Sequence, residues 1–343
     1  MKVESRLSKE RNDKLQCLVC RHQCTIAEGK SGICKTVVNE GRKLYSIIYG
    51  TLTGEAVDPI EKKPLFHFWP NSQTYSISSS SCNFQCPWCQ NWHISNLAPE
   101  ETTSWERTPE AIVKKAASLG LTSISYTYNE PSIWFEFIND TAKLAKTRGM
   151  YNTLVTNGYY SHEALEEYSD LIDAVNIDVK GFNEQFYRKY VKASLEQTLE
   201  SILDTSRSGI HVELTMLIIP TLNDDPREIN DFIKWVVVEM GPDIPVHFTR
   251  FFPHYRMARL PPTPVETLKE AWNVAKAAGL NYVYIGNIPI GYEDTFCPQC
   301  GKKVIRRGGF GILAWKLDDK NRCLNCGVKI PFVGKYVNRK NRA

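Results

Sequence analysis

Strand-like and helix-like segments alternate along residues 73–285, and this alternation limits the fold more than any other feature of the chain. Runs rich in β-branched and aromatic residues predict strands at 73–79, 122–128, 151–156, 172–179, 211–219, 246–250 and 282–285. Amphipathic segments predict the intervening helices at 109–119, 131–148, 161–169, 194–208, 226–240 and 264–278. Strands that alternate with helices form a parallel sheet, which predicts an α/β protein with about six β/α units.

Chemically active side chains follow these predicted strands at their C-terminal ends. They are three cysteines after the first strand, Asn129 and Glu130 after the second, Thr156 and Asn157 after the third, Asp178 and Lys180 after the fourth, Asn223 and Asp224 after the fifth, and Arg250–His254 after the sixth. Parallel strands bring their carboxyl ends to one edge of a sheet, where barrels of this kind assemble active sites. The sequence therefore predicts one shared site at that edge.

The three cysteines, Cys82, Cys86 and Cys89, are spaced C-x3-C-x2-C and are called the cysteine triad below. A cubane [4Fe–4S] cluster has four irons, so three thiolates leave one iron open to a substrate or cosubstrate. Two alternatives compete with this interpretation. His93 could complete a zinc site, or the three thiols could be buried structural side chains.

The other eight of the eleven cysteines form two groups of four. The N-terminal quartet (Cys17, Cys20, Cys24, Cys34) is spaced C-x2-C-x3-C-x9-C, and the C-terminal quartet (Cys297, Cys300, Cys323, Cys326) consists of two C-x2-C turns. This clustering favours metal sites over disulfides. The C-terminal quartet predicts a zinc ribbon, with rubredoxin-like iron as the alternative. For the N-terminal quartet, structural zinc and a second iron–sulfur cluster that relays electrons both stay open.

The composition, 42% hydrophobic and 23% charged, is that of an ordinary globular protein. No apolar segment suits a signal peptide or a membrane span, which predicts a reduced, cytoplasmic protein. The net charge of +4 is too small to indicate nucleic-acid binding. A zinc-stabilised scaffold or nucleic-acid-binding protein is an alternative of another class, which the basic tail at 335–342 would favour. The chain lacks the aromatic and basic stripe of single-strand binders, which argues against nucleic acid as a partner.

Several of the strand-end residues could have a purely structural role instead of a functional one. Glu130 could simply begin a helix, where the helix dipole favours a carboxylate. Asn157 precedes a glycine, and the pair could serve only as a turn. Asp178 and Lys180 are harder to explain structurally, because a charged pair at the mouth of an apolar strand is costly unless it has partners. These two are the candidate catalytic residues.

Six segments together resemble a known family: SSCNFQCPWCQNWHIS, YTYNEPSI, VTNGY, NIDVKGF, HFTRFFPHYRM and YVYIGN. They are similar to the AmmeMemoRadiSam-system radical S-adenosylmethionine (SAM) enzymes, a branch of the pyruvate formate-lyase activating enzyme relatives. The resemblance implies a partial (β/α)6 barrel at 71–290, a four-cysteine metal module at 1–70 and a zinc ribbon at 291–343. It also implies that SAM binds the open iron of a [4Fe–4S] cluster. Reductive cleavage would then yield a 5′-deoxyadenosyl radical that takes hydrogen from an unidentified substrate.

The resemblance also implies roles for individual residues and partners. The implied SAM contacts are Trp88 on the adenine face, Asn129 and Glu130 in the turn near the amino group, Thr156, Asn157, Asp178 and Lys180 around SAM and substrate, His254 near the nucleoside, and Tyr284 on the adenine strand. Glycyl-radical activases have an aspartate where this chain has Val155, which weakens the alternative that the protein is such an activase. The implied partners are an electron donor such as ferredoxin or flavodoxin, and AMMECR-type and Memo-type proteins.

Overall fold

The structure is a computed structural model, and it describes residues 1–338. The end of the predicted basic tail, residues 339–342, lies outside the described residues. Within residues 1–338, every helix is too short or too polar to cross a lipid bilayer.

The bounds of the regular elements are as follows. The strands are β1 (Val3–Glu4), β2 (Ser8–Arg11), β3 (Lys14–Cys17), β4 (Thr25–Ile26), β5 (Val37–Glu40), β6 (Lys43–Ser46), β7 (Thr51–Leu52), β8 (Gly54–Pro59), β9 (Gln73–Ser78), β10 (Trp105–Glu106), β11 (Ser123–Tyr126), β12 (Tyr151–Thr156), β13 (Ala174–Asp178), β14 (His211–Ile218), β15 (Val246–Arg250), β16 (Val283–Gly286), β17 (Thr295–Phe296), β18 (Lys303–Gly308) and β19 (Gly311–Trp315). The helices are α1 (Trp92–Ser95), α2 (Pro109–Ser118), α3 (Phe135–Thr147), α4 (His162–Tyr168), α5 (Glu184–Phe186), α6 (Leu195–Arg207), α7 (Pro226–Trp235) and α8 (Val265–Ala277).

The main sheet has eight strands in the order β16-β15-β14-β13-β12-β11-β9-β8. All neighbouring strands from β9 to β16 pair in parallel, and β8 joins the edge antiparallel to β9. The predicted parallel α/β fold is confirmed. The sheet also includes β8, which comes from the predicted N-terminal segment 1–70.

Local sequence signals explain where the helices between these strands begin. Thr108 precedes α2, and its hydroxyl oxygen accepts a hydrogen bond from the Ala111 amide at 3.3 Å. Ser161, Ser194 and Asp225 cap α4, α6 and α7 in the same way. Side-chain oxygens at these positions satisfy amide groups that have no partner inside the helix. The helices then pack their apolar faces against the sheet in one large core.

Small antiparallel sheets carry the two cysteine quartets. β1-β6-β5 and β2-β3-β4 lie around the N-terminal quartet, and β17-β18-β19 lie next to the C-terminal quartet. The C-terminal sheet packs against Tyr282 and Tyr284 at the edge of the main sheet. His67, from the loop between β8 and β9, stacks on Phe332 with ring centroids 4.2 Å apart. The loop therefore links the C-terminal region to the main sheet.

Candidate functional site

A cavity of about 400 Å³ lies at the C-terminal ends of the parallel strands. Its volume is in the range of small-molecule sites. Its wall includes these predicted site residues: Cys82, Cys86, Trp88, Cys89, Asn129, Glu130, Thr156, Asn157, Asp178, Lys180 and His254. The strand topology thus brings together side chains that are up to 172 positions apart in the sequence. Three predicted residues, Asn223, Asp224 and Tyr284, are not part of this wall.

The cysteine triad lies in the loop after β9. The Phe84 amide donates a hydrogen bond to Cys82 Sγ at 3.3 Å. Burial raises the pKa of all three thiols, to about 12 for Cys86, so they become good ligands only when a metal replaces their protons. Among residues 1–338, the triad sulfurs do not come within 4.8 Å of one another as a group.

This wide sulfur spacing bears on the choice of metal. Zn–S bonds of about 2.3 Å in a tetrahedron require thiolates about 3.8 Å apart. A cubane attaches each thiolate to a different iron and therefore needs a wider spacing. His93 is exposed and lies outside the cavity wall. The exposed position of His93 outside the cavity wall does not support the zinc alternative, and the [4Fe–4S] interpretation of the triad stays a prediction.

The Glu130 carboxylate joins the ends of β11 and β12. It is 2% exposed, and its Oε1 accepts hydrogen bonds from Thr156 Oγ1 at 2.7 Å and the Ser132 amide at 2.9 Å. Its Oε2 accepts from the Asn157 amide at 2.8 Å. Burial raises the pKa of Glu130, and these hydrogen bonds oppose the rise. Glu130 begins a 3-10 turn, as its structural alternative predicted, and it also faces the cavity.

Two asparagines hold the triad loop in place. Asn129 Oδ1 accepts from the Ser79 amide, and its Nδ2 donates to the Ser81 carbonyl, both at 3.1 Å. Asn157 Nδ2 donates to Asn83 Oδ1 at 2.7 Å. Asn129 therefore fixes the backbone before Cys82, and Asn157 holds the side chain of Asn83 between Cys82 and Cys86.

Asp178 and Lys180 form an ion pair facing the triad. Lys180 Nζ lies 2.8 Å from Asp178 Oδ2. Burial would lower the pKa of Lys180, but the negative charges of Asp178 and a Cys86 thiolate together raise it above its ordinary value. The pair therefore presents a stable ammonium group and a carboxylate to the cavity, next to the triad.

The aromatic candidates have different surroundings. Trp88 is 4% exposed and stacks on Phe186, with ring centroids 5.4 Å apart. His254 is exposed at the cavity wall. Tyr284 is buried between the main sheet and the C-terminal region, and its hydroxyl bonds His67 Nε2 at 2.6 Å and Thr295 Oγ1 at 2.9 Å. The next residues of that strand end, Gly286 and Asn287, line the cavity.

Sequence reasoning missed a basic part of the cavity wall. Lys62 and Lys63 both pair with Asp58, at 2.8 and 2.7 Å, and both face the cavity. Burial lowers the pKa of Lys63 to about 8, although Asp58 opposes this effect. Arg250, which the sequence predicts at the end of the sixth strand, lines the same part of the cavity, where its side chain packs on Phe252. The charged run Glu61–Lys63 between two strands was the available signal, but nothing local shows that it turns toward the strand ends.

His247 is also in the cavity wall and hydrogen-bonds to Glu213, 2.7 Å away. Glu213 is fully buried and accepts hydrogen bonds from the Phe66 and His67 amides at 3.0 and 2.7 Å. Burial raises the pKa of Glu213, but its bonds to His211 and His247 dominate and hold that pKa well below its usual range. The network ties the loop before β9 to β14 and β15.

The two quartets differ in geometry. In the C-terminal quartet, the sulfurs of Cys297 and Cys326 are 3.5 Å apart and those of Cys300 and Cys323 are 3.8 Å apart. All four sulfurs lie within 4.8 Å of one another, which fits a single tetrahedral ion. In the described part of the chain, no three sulfurs of the N-terminal quartet come this close.

Comparison with known proteins gives a consistent result. Residues 76–233 match the sequence model of the Radical SAM superfamily. An uncharacterized protein of Methanocaldococcus jannaschii is 45% identical over 325 residues, which cover 94% of this chain and 96% of that protein. The pyruvate formate-lyase 1-activating enzyme of Escherichia coli K12 is 24% identical over 153 residues, 42% of this chain and 60% of that enzyme.

A solved structure shares the fold. Streptococcus suis SuiB bound to S-adenosylmethionine superposes with a TM-score of 0.50 at 11% identity. The match covers 67% of this chain and 54% of SuiB.

Proposed function

We propose that the chain is a radical SAM enzyme, because residues 76–233 match the Radical SAM superfamily, and that it cleaves SAM reductively to start a radical reaction on a substrate. The superfamily implies a [4Fe–4S] cluster and SAM as cofactors. The observation that carries the proposal is the convergence of the cysteine triad and the charged strand-end residues on one cavity. A non-enzymatic scaffold would not need this convergence.

A cluster bound by the triad supplies the electron that splits SAM into methionine and a 5′-deoxyadenosyl radical, which takes a hydrogen atom from the substrate. The protein residues position the reactants. The Lys180 ammonium is suited to the carboxylate of SAM, and Asp178 to a hydroxyl or amino group. Trp88 offers an apolar face for the adenine. Glu130, Asn129 and Asn157 hold the strand ends in register, and Glu130, which lines the cavity, is the proposed partner of the amino group of SAM.

The first test removes one triad ligand. Cys86→Ala, reconstituted without oxygen, is expected to form no 5′-deoxyadenosine, because the cluster loses one of its three ligands. The matched control is Cys300→Ala, which also removes a candidate metal ligand but lies outside the cavity wall. The control is expected to lose the ion of the C-terminal quartet and to keep initial 5′-deoxyadenosine formation. Formation of 5′-deoxyadenosine by Cys86→Ala contradicts the proposal.

A second test examines the Asp178–Lys180 pair. Lys180→Met is expected to weaken SAM binding by about 1.5–3 kcal/mol, the usual contribution of a hydrogen bond to a charged group. Equilibrium dialysis with labelled SAM measures this change. Lys189→Met, on the exposed surface, is the matched control and should bind SAM like the wild type. Equal SAM affinity in the two variants removes Lys180 from the cofactor site.

A second candidate function is activation of a glycyl-radical enzyme. The similarity to the activating enzyme of Escherichia coli favours it, whereas Val155 in the cavity wall weighs against it. An activase would produce a glycyl-radical doublet in the electron paramagnetic resonance (EPR) spectrum of a partner protein. Transfer of a hydrogen atom from a small molecule to the 5′ carbon of 5′-deoxyadenosine, without that doublet, favours a small substrate.

The same proposal extends to the metal and partners outside the cavity. We assign zinc to the C-terminal quartet, because its four sulfurs have the spacing of a tetrahedral ion. A ferredoxin or flavodoxin is the expected electron donor. AMMECR-type and Memo-type proteins stay predicted partners, and co-purification with tagged protein is the direct check.

A further inference from the structure

The sulfurs of the N-terminal quartet are spaced more widely than those of the C-terminal quartet. All four are close enough for their charges to interact: Cys17 with the other three, Cys20 with Cys24 and Cys34, and Cys24 with Cys34. Nevertheless, in residues 1–338 no three of these sulfurs lie within 4.8 Å of one another. The cysteine triad has the same property, whereas the C-terminal quartet does not. Within one chain, the N-terminal quartet therefore resembles the proposed cubane site and differs from the proposed zinc site.

The quartet also lies directly against the triad loop. Ser81, the residue before Cys82, donates its hydroxyl hydrogen to the Cys34 carbonyl oxygen at 2.6 Å. His22, between two quartet cysteines, bonds the Asn83 carbonyl oxygen at 2.9 Å. Two hydrogen bonds therefore join the segment of the quartet directly to the loop of the triad.

The Asn83 side chain contacts a cysteine of each group. Its Oδ1 lies 3.8 Å from Cys82 Sγ, and its amide group interacts with the Cys20 thiol. The side chain is 1% exposed, and no residue in the described chain accepts a regular hydrogen bond from its Nδ2. A buried donor without a partner is costly. Sulfur atoms of a cluster held by the quartet would be suitable acceptors.

From this geometry we propose that Cys17, Cys20, Cys24 and Cys34 bind a second [4Fe–4S] cluster, which passes single electrons through Asn83 to the cluster of the triad. The relay rests on the proposed SAM cleavage, whereas the presence of a second cluster does not. Four ligands close this site, so it has no open iron for a substrate. Cys24 is partly exposed, whereas Cys17, Cys20 and Cys34 are buried. An electron donor would therefore approach the quartet cluster from the side of Cys24.

The electrons balance in three steps. A one-electron protein donor, such as a flavodoxin or ferredoxin, reduces the quartet cluster from the 2+ to the 1+ state. That cluster then reduces the triad cluster by one electron and returns to 2+. The triad cluster transfers the electron to the sulfonium of SAM, whose carbon–sulfur bond breaks into methionine and the 5′-deoxyadenosyl radical.

Metal and sulfide analysis of the full-length wild type tests the cluster without any mutation. Anaerobically reconstituted protein is expected to hold about eight irons, about eight sulfides and about one zinc per chain. About four irons and two zincs per chain would overturn the proposal.

A variant without the triad separates this proposal from the function. Cys82, Cys86 and Cys89 replaced together by alanine should leave about four irons and four sulfides, with an EPR signal on reduction that SAM does not change. Iron retained by this variant supports the second cluster, whether or not the wild type cleaves SAM. Loss of all iron from a folded triad variant overturns it.

The relay is tested by comparing reductants. The double variant Cys20→Ala, Cys24→Ala should form 5′-deoxyadenosine about tenfold more slowly with reduced flavodoxin, which corresponds to about 1.4 kcal/mol of barrier. With dithionite, which is small enough to reach the triad cluster directly, the rate should match the wild type. The EPR signal of the triad cluster, and its change on adding SAM, should persist. Equal slowing with both reductants indicates a purely structural quartet and overturns the relay.

Discussion

The N-terminal and C-terminal quartets contain the same number of the same residue but arrange it differently. The C-terminal quartet comes from two short C-x2-C turns that face each other, and its sulfurs lie 3.5 and 3.8 Å apart across the site. The N-terminal quartet lies within residues 17–34, and Cys34 follows Cys24 by ten residues on the way into β5. The two quartets have the same number of thiols, and the spacing of their sulfurs is what separates the proposed single-ion site from the proposed cubane site.

Selective removal of metal is the strongest test of the difference between the two quartets. Exposure to air with ferricyanide is expected to destroy the iron sites of the triad and N-terminal quartet completely, while the zinc of the C-terminal quartet survives, because zinc has no redox chemistry. Elemental analysis after gel filtration measures both metals. If zinc rather than iron is found at the N-terminal quartet after this treatment, the two quartets hold the same kind of ion.

A pH change should affect the C-terminal region more than the N-terminal region. Burial lowers the pKa of His67, which stacks on Phe332, to about 3. Between the unfolded pKa of about 6.5 and that folded value, the unfolded chain binds more protons, so stability falls as pH falls, by at most about 1.4 kcal/mol per pH unit. Glu213 adds to this loss below about pH 4.3, because its folded pKa is depressed.

Hydrogen exchange from pH 7 to pH 4.5 measures this effect region by region. Amides of β18 and β19 are expected to lose protection before those of β2 and β3. His67→Phe should reduce the pH dependence, because it keeps an aromatic ring against Phe332 and cannot be protonated. An unchanged pH dependence in this variant assigns the effect to other groups.

The smallest expected effect concerns a single hydrogen bond in the N-terminal quartet. The Thr36 hydroxyl lies 3.1 Å from Cys34 Sγ. Thr36→Val removes a donor that stabilises the more negative, reduced cluster, so the midpoint potential of the quartet cluster should fall by an amount equivalent to about 1 kcal/mol. Thr36→Ser keeps the hydroxyl and should keep the potential, which a spectroscopic redox titration measures. A potential unchanged in Thr36→Val excludes this contact from tuning the site.

Much of the main sheet was predictable because its signals are local. The first parallel strand was predicted at 73–79 and lies at Gln73–Ser78, and the fourth was predicted at 172–179 and lies at Ala174–Asp178. Each depends on a short apolar run between helix caps and turns. By contrast, β8 was not predicted as part of the sheet, because its six residues, GEAVDP, carry little strand signal and are ordered by pairing with β9.

The candidate site was predictable as a group and less so in its contacts. Parallel topology alone places Glu130, Asp178 and Lys180 at one edge. It does not reveal that the Glu130 carboxylate accepts three hydrogen bonds from neighbouring residues. Nor does it reveal that Lys62 lines the same cavity from a different loop. The Tyr284 side chain packs against His67 because the C-terminal region covers that part of the strand, which no local pattern encodes.

The amino-acid sequence by itself determined the order of strands and helices, the edge at which polar residues gather and the grouping of eleven cysteines into four, three and four. Only the tertiary structure decided how far apart the sulfurs of each group lie, and that Asn83 lies between two of the groups. The physical reason is the distance along the chain over which each kind of interaction acts. Periodicity, capping and ligand spacing act over a few residues, whereas the distance between two thiols depends on how strands far apart in the chain pack together.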